Sequence, residues 1–390
     1  MSTKKKLNWN GILIATAIFA AIAVGVLISF MISAKPSEPE PTEPPAPVIE
    51  TASYTIMDNY DAIVSDAVAQ AYEAANSVRK VYWINENAEI PPMPNPARYG
   101  QTDDPSTLQW LIDDAQEILE GQEILFNTDI ELAYLSNVTY YLDESILVIT
   151  WQQVLDNYIY TFSEVKITHP SQFRRYLAGN EYNSDYIHQT STMAKSVNAV
   201  MASSADYYRG RKHGIITYQG EVKRTDYSDL VDACFIDRDG NMILVPAGEL
   251  IGMEETQKFV DENNIDFSLA FGPILIKDGV RCEPENYFLG EVNDRYPRAA
   301  LCQKDDLHYI IVMCNGNYGY VHSQTIHDFA YQIEQLGCKN AYTLDGGATG
   351  TISMQGKALN PVQWERWITD IIYFATAIPY TEETPEPTTP

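Results

Sequence analysis

Residues 7–34 form an unbroken run of 28 uncharged residues, with Lys4, Lys5 and Lys6 before it and Lys35 after it. At about 1.5 Å per residue, such a run is long enough to cross the roughly 30 Å hydrocarbon core of a bilayer as one helix. The apolar region of a cleaved signal peptide is shorter, about 7–15 residues, so 11–34 is predicted to be a retained transmembrane anchor. The three lysines ahead of it predict that residues 1–10 stay in the cytoplasm and that the body is exported, giving a single-pass membrane protein. Residues 35–50, "KPSEPEPTEPPAPVIE", then read as an extended Pro/Glu linker. The same composition at 379–390, "PYTEETPEPTTP", reads as a disordered tail.

Charge narrows the partners. Residues 36–390 carry 22 basic against 53 acidic side chains, a net −31. A body that acidic repels phosphate backbones, so nucleic acid is excluded as a partner. Any anionic ligand must be held by local arginines rather than by the overall field. The five cysteines, Cys234, Cys282, Cys302, Cys314 and Cys338, include no CxxC pair, and no histidine stands at metal-finger spacing. A structural zinc site is therefore not expected, and four of the five read as small buried hydrophobes. No cofactor is expected; participation of a divalent metal is left open by the sequence.

Residues 51–130 read as a helical segment, with helical spacing in "IVSDAVAQAYEAANSVRKVYWI" and "STLQWLIDDAQEILEG". From about Asn137 the pattern changes to short β-like runs separated by turns. Asp239-Gly240, Asp278-Gly279 and Gln219-Gly220 are predicted tight connections. "SQTIHDFAYQIEQLGC" predicts an amphipathic helix ending at Gly337. The fold class expected for 131–378 is α+β: a large mixed or antiparallel sheet with packed helices.

Four stretches carry polar groups that a plain turn does not need. They are "NAVMASSADYYRGRKHGIITYQGEV" with Asp206 and Arg211, "FSLAFGPILIKDG" with Gly272-Pro273, "YPRAAL" with Arg298, and "LDGGATGT" with Asp345. Singly each reads as a turn: Asp206 as a turn cap, Arg211 as a solvated charge, Arg298 as a partner of Asp294. Glu365 and Arg366 read as an internal ion pair. Taken in order, with "YTFSEVKITHPSQFRRYLA", "IEQLGCKNAYTLDGG" and "ERWITDIIYF", the stretches resemble the phosphodiester glycosidase family over roughly 158–374.

The resemblance implies cleavage of a sugar-1-phosphodiester outside the cytoplasm, in cell-envelope glycopolymers. It implies Asp345 and Asp206 as catalytic residues. Arg298, Arg211, Ser204, Gly346, Gly347, Thr349 and Gly272 are the implied substrate and phosphate contacts. The chemistry fits those residue types. Breaking C1–O–P passes through a cation-like sugar that a carboxylate stabilises, and the phosphomonoester leaves without a strong general acid. Arginine's planar fork matches the phosphate, and glycine amides after Asp345 offer a backbone nest for anionic oxygens. The sequence departs from the family pattern in three places. Ser204 replaces an asparagine, Gly350 replaces a second serine and Asn317 replaces an arginine. These departures carry the alternative, a divergent member that binds envelope glycan or phosphoglycan without cleaving it. A cell-surface structural protein is the third expectation.

Overall fold

The computed structural model describes residues 90–118, 135–156, 158–289, 293–315, 324–362 and 364–380. The predicted anchor and linker, the helical run before residue 90, Asn317 and residues 381–390 lie outside them. Among the described residues, no helix is long and apolar enough to cross a membrane.

Nineteen strands in that range, β1–β19 in chain order, form four sheets. The largest has nine strands, in the spatial order β1 (Tyr99–Gln101), β2 (Leu135–Asp143), β3 (Ile146–Leu155), β4 (Tyr158–Ile167), β15 (His308–Cys314), β14 (Arg298–Asp305), β16 (Asn340–Leu344), β12 (Ile274–Lys277) and β13 (Val280–Arg281). A five-stranded sheet runs β18 (Lys357–Ala358), β17 (Ile352–Met354), β6 (Met201–Ser204), β19 (Asp370–Phe374) and β5 (Phe173–Leu177). The third contains β10 (Met242–Val245), β9 (Ala233–Asp237) and β11 (Ile265–Leu269), and the fourth is the hairpin β7 (Ile216–Tyr218) and β8 (Glu221–Arg224). Every recorded pairing between these strands is antiparallel, which narrows the expected mixed or antiparallel sheet to the second form. Four α-helices accompany them: α1 (Pro105–Ile118), α2 (Thr190–Ser196), α3 (Met253–Glu262) and α4 (Ile326–Glu334).

The large sheet is buried on both faces, and strand alternation shows how. On β15, Ile310, Val312 and Cys314 pack with α1 and α4 in one core, while Tyr309, Ile311 and Met313 enter a second core. That second core lies between the large sheet and strands of the smaller ones, through Met201, Phe267, Ile352 and Phe374. A continuous apolar run such as "HYIIVMC" is what a strand buried on both faces requires. The expected turns occur with left-handed backbone at Gln219-Gly220, Asp278-Gly279 and Gly240. Helix α4 starts on the Thr325 side chain, which accepts the Asp328 N–H at 3.1 Å, and Gly337 follows its end at φ 65°.

The segment after β16 is not a hairpin. β16 belongs to the large sheet and β17 to the five-stranded one, so Asp345–Thr351 crosses from one layer to the other. A carboxylate followed by two glycines therefore stands at the rim where two sheets meet.

Candidate active site

The crossing is fixed from both sides. The Asp345 N–H donates to the Ala205 carbonyl at 3.1 Å, just beyond the end of β6. The Ser204 N–H donates to the Thr351 carbonyl at 3.0 Å, and the Ser204 hydroxyl accepts the Thr351 N–H at 3.1 Å. A Cβ at Gly346 would lie 2.4 Å from the Pro297 carbonyl oxygen, so only glycine lets the loop pass this close to the start of β14. The Gly347 N–H donates to that same carbonyl at 3.2 Å. This corrects the expectation of a nest formed by both amides: the Gly347 amide is committed to the backbone.

Asp345 keeps one carboxylate oxygen uncommitted at this crossing. Its Oδ2 is buried and has no hydrogen-bond partner among the described residues. Burial pushes its pKa up to about 6, against the Thr349 hydrogen bond and the charges of Arg211 and Arg366; Asp206 adds to the rise. Thr349 links this carboxylate to an arginine, since Arg366 Nη1 donates to its hydroxyl oxygen at 3.2 Å. Arg366 Nη2 donates to the Tyr207 hydroxyl at 3.2 Å, and the guanidinium lies 4.9 Å from that ring's centroid. The expected Glu365–Arg366 pair is not formed. Glu365 instead accepts from the N–H and hydroxyl of Ser191.

Arg211 lies over the Phe271 ring, 3.9 Å from its centroid. Its loop is rigid because Arg224 donates to the carbonyls of Tyr208, His213 and Gly214, the last two at 2.7 and 3.2 Å. Burial lowers the Arg211 pKa, and Asp345 is the leading charge that raises it again. Gly272 shapes the Phe271 turn at φ 70°, and a Cβ there would come within 2.1 Å of the Tyr287 hydroxyl. Among the described residues, no group of three or more His, Cys, Asp or Glu side chains is arranged to hold a metal ion.

Two expected site residues are held elsewhere. Asp206 is fully engaged in a buried triad: Arg175 donates to it at 2.9 Å and to Asp370 at 2.7 Å. Its oxygens also accept the N–H groups of Tyr208 at 3.0 Å and Ala270 at 2.8 Å. Asp206 therefore shapes the site and leaves no oxygen without a partner for a sugar. Arg298 donates to the Gln324 carbonyl at 3.3 Å and to the Asp294 carbonyl, and burial pushes it down to about 10. It faces the α4 side of the sheet, with Cys314, and not the carboxylate at Asp345. The expected side-chain pair with Asp294 is replaced by a bond to its backbone. Of the four residues singled out in those stretches, Asp345, Arg211 and Asp206 lie near enough for their charges to act on one another, and Arg298 does not join them. Arg366, and not Arg298, acts on the Asp345 carboxylate beside Arg211.

Residues 195–375 match the family model described as phosphodiester glycosidase. Over this segment the chain is similar to the phosphodiester glycosidase family. The SPbeta prophage-derived uncharacterized protein YomE of Bacillus subtilis (strain 168) is 26% identical over 178 residues, which are 44% of this chain. The chain spans only 27% of the length of that curated relative. Among solved structures, a hypothetical protein from Synechocystis is 14% identical, with a TM-score of 0.47 over 61% of this chain and 63% of that one. The catalytic domain of zebrafish N-acetylglucosamine-1-phosphodiester alpha-N-acetylglucosaminidase, auto-inhibited by its pro-peptide, is 14% identical, with a TM-score of 0.47 over 59% of this chain and 83% of that one.

Within the matched segment, the departures from the family pattern have local consequences. The Ser204 hydroxyl serves the backbone of Thr351, as described, and a Cβ at Gly350 would lie 3.1 Å from the Met313 sulfur. Site geometry here has a stability cost that pH should reveal. Asp345 rises from 3.8 to about 6 on folding, so the folded state holds the proton more tightly than the unfolded one. Below about pH 4 both states are protonated and the cost vanishes. It grows between about pH 4 and 6 and stays constant above, at about 3 kcal/mol. Asp345→Asn removes the ionisation and should raise Tm at neutral pH on the order of 5–10 °C. The gain should disappear below about pH 4 in thermal melts followed by circular dichroism.

Proposed function

We propose that the matched segment hydrolyses a sugar-1-phosphodiester, with Asp345 acting at C1 and Arg211 and Arg366 holding the phosphate. The observation that carries this reading is the buried, unpartnered Asp345 oxygen with two arginine charges acting on it. As the C1–O bond to phosphorus lengthens, positive charge builds on the sugar beside the carboxylate, and the electron pair leaves with the phosphate oxygen. A water oxygen then bonds to C1 and gives its proton to Asp345 or to bulk water. The departing phosphomonoester is neutralised by the guanidinium groups, so no strong acid is required. Arg298, fixed to backbone carbonyls, has no part in this scheme.

The role requires the ionised carboxylate. Activity should therefore rise with pH through about 6 and level off above. Arg366→Gln removes a charge that holds the Asp345 pKa down, so the rising limb should move to higher pH. KM should increase about tenfold, because a charge-assisted phosphate contact is lost. Free sugar released from a sugar-1-phosphate methyl ester across a pH series measures both. A limb that stays in place would separate Arg366 from Asp345.

A second reading keeps the cleft without turnover. It is favoured by Asp206, which is consumed by Arg175 and so supplies no second reactive carboxylate. Binding of the ester with no release of sugar would establish it.

We place the body outside the cytoplasm, tethered by residues 11–34, with an envelope glycopolymer as its substrate. The lysines before the uncharged run and the acidic body after it support this placement. Protease added to intact cells should digest the body, and protection until the membrane is broken would reverse the topology.

A further inference from the structure

Two of the five cysteines meet. The Cys302 and Cys338 thiols share a hydrogen bond inside the core to which β14 and α4 both contribute. Backbone pairing holds them there. Cys302 stands opposite Ala341 where β14 pairs with β16, and the next carbonyl, that of Gln303, accepts the Lys339 N–H at 2.9 Å. Cys338 enters from the short connection between α4 and β16, where Gly337 at φ 65° turns the chain off the helix. The other three cysteines have different surroundings. Cys234 lies in the second core, Cys314 is hydrogen-bonded to the Tyr160 hydroxyl, and Cys282 is exposed.

A buried cysteine by itself is a small hydrophobe. Two thiols in contact, on backbones fixed beside one another, need only a short approach to reach the S–S length of about 2 Å. We infer that Cys302 and Cys338 are a cross-linking site, closed into a disulfide by exchange with a disulfide-bearing oxidant, and that the bond fastens the end of α4 to β14. Cys338 is 4% exposed and Cys302 fully buried, so Cys338 meets the oxidant first. Its thiolate attacks one sulfur of the oxidant, and the other sulfur leaves as a thiol. The Cys302 sulfur then attacks Cys338 in the mixed disulfide and expels the second half of the oxidant as a thiol. Two protein thiols are oxidised, the oxidant is reduced to two thiols, and the two protons leave with them. Burial pushes the Cys302 thiol up, so the exchange belongs to the folding chain or to local openings of the α4 end. The bond closes a loop of about 35 residues that contains β15 and α4. It secures β14 and β16 at the ends away from the Pro297 carbonyl and Asp345.

The test treats reduced full-length protein in detergent with glutathione disulfide, in urea below the unfolding midpoint so that local opening admits the reagent. Remaining thiols are then blocked with N-ethylmaleimide in denaturant. Trypsin with Glu-C places Cys302 in residues 299–304 and Cys338 in residues 335–339, each as the sole cysteine of its peptide. Mass spectrometry should find these two peptides joined, with none of the other three cysteines in the bond. The cross-linked protein should melt about 10 °C above the reduced protein by circular dichroism. Cys338→Ala should abolish that difference, and Cys282→Ser should preserve it. The peptide map uses the unaltered chain, so it decides the matter even if a variant fails to fold. Recovery of both peptides blocked by N-ethylmaleimide, or of either joined to another cysteine, overturns the inference. Equal melting of the cross-linked and reduced forms overturns the fastening. Neither thiol has a part in the hydrolase scheme, so these outcomes leave that reading untouched.

Discussion

Asp345→Asn is expected to lower kcat for a sugar-1-phosphodiester by about 10²–10⁴, the range for loss of a positioned carboxylate. The substitution keeps shape and volume and removes only the charge. The oxygen it alters has no hydrogen-bond partner among the described residues, so no structural bond in that range is broken there. Binding should survive, because Arg211 and Arg366 still face the phosphate, and the loss should fall on kcat. The same variant should melt higher than wild type above pH 6, since it no longer ionises a buried carboxyl group. Lower activity with higher stability is the signature of a group kept for chemistry. A variant that turns over normally would reduce Asp345 to a turn residue.

Arg175→Met should destabilise the fold by about 3–5 kcal/mol, because it leaves Asp206 and Asp370 buried together without their cation. The three side chains are fully buried, and Asp370 is already pushed upward by burial and by Asp206. Burial alone would lower the Arg175 pKa, yet the two carboxylates outweigh it and hold the guanidinium charged. Asp206 also positions the N–H groups of Tyr208 and Ala270, so its displacement should loosen the loops that carry Arg211 and Phe271. A fall in Tm of about 10 °C follows for a domain of this size. Adding Asp370→Asn should recover part of the loss, because only one buried carboxylate then lacks a partner. Melting within about 1 °C of wild type would show that the triad does not secure the rim.

Strand periodicity, turn residues and helix caps made most of the second half legible. The runs that form β3, β4, β14 and β15 are apolar and bounded by turn signals, and α1 and α4 follow helical spacing. Which strands share a sheet was not legible. Asp345–Gly347 reads locally as a hairpin turn, and only the pairing of β17 with β6 makes it a crossing. Asp345 and Arg211 read singly as a turn residue and a solvated charge, and only the order of the stretches, through the resemblance to the family, singles them out. Arg298 was misplaced because alternation along β14 sets its side chain on the α4 face, and the direction of that alternation depends on register. Arg366 reads as an ion-pair partner because Glu365 adjoins it. Neighbours in an extended segment point to opposite sides, and this was a usable sign that they do not pair. Arg175 carried its own signal, as a cation inside the apolar strand "FRRYL" must find buried partners.

Hydrolysis of a sugar-1-phosphate methyl ester in ¹⁸O-labelled water, with products read by mass spectrometry, tests the proposed bond cleavage most directly. Attack at C1 beside Asp345 places the label in the freed sugar and leaves methyl phosphate unlabelled. Label in the phosphate, or no sugar released by the wild-type protein, would contradict a glycosidase acting through that carboxylate.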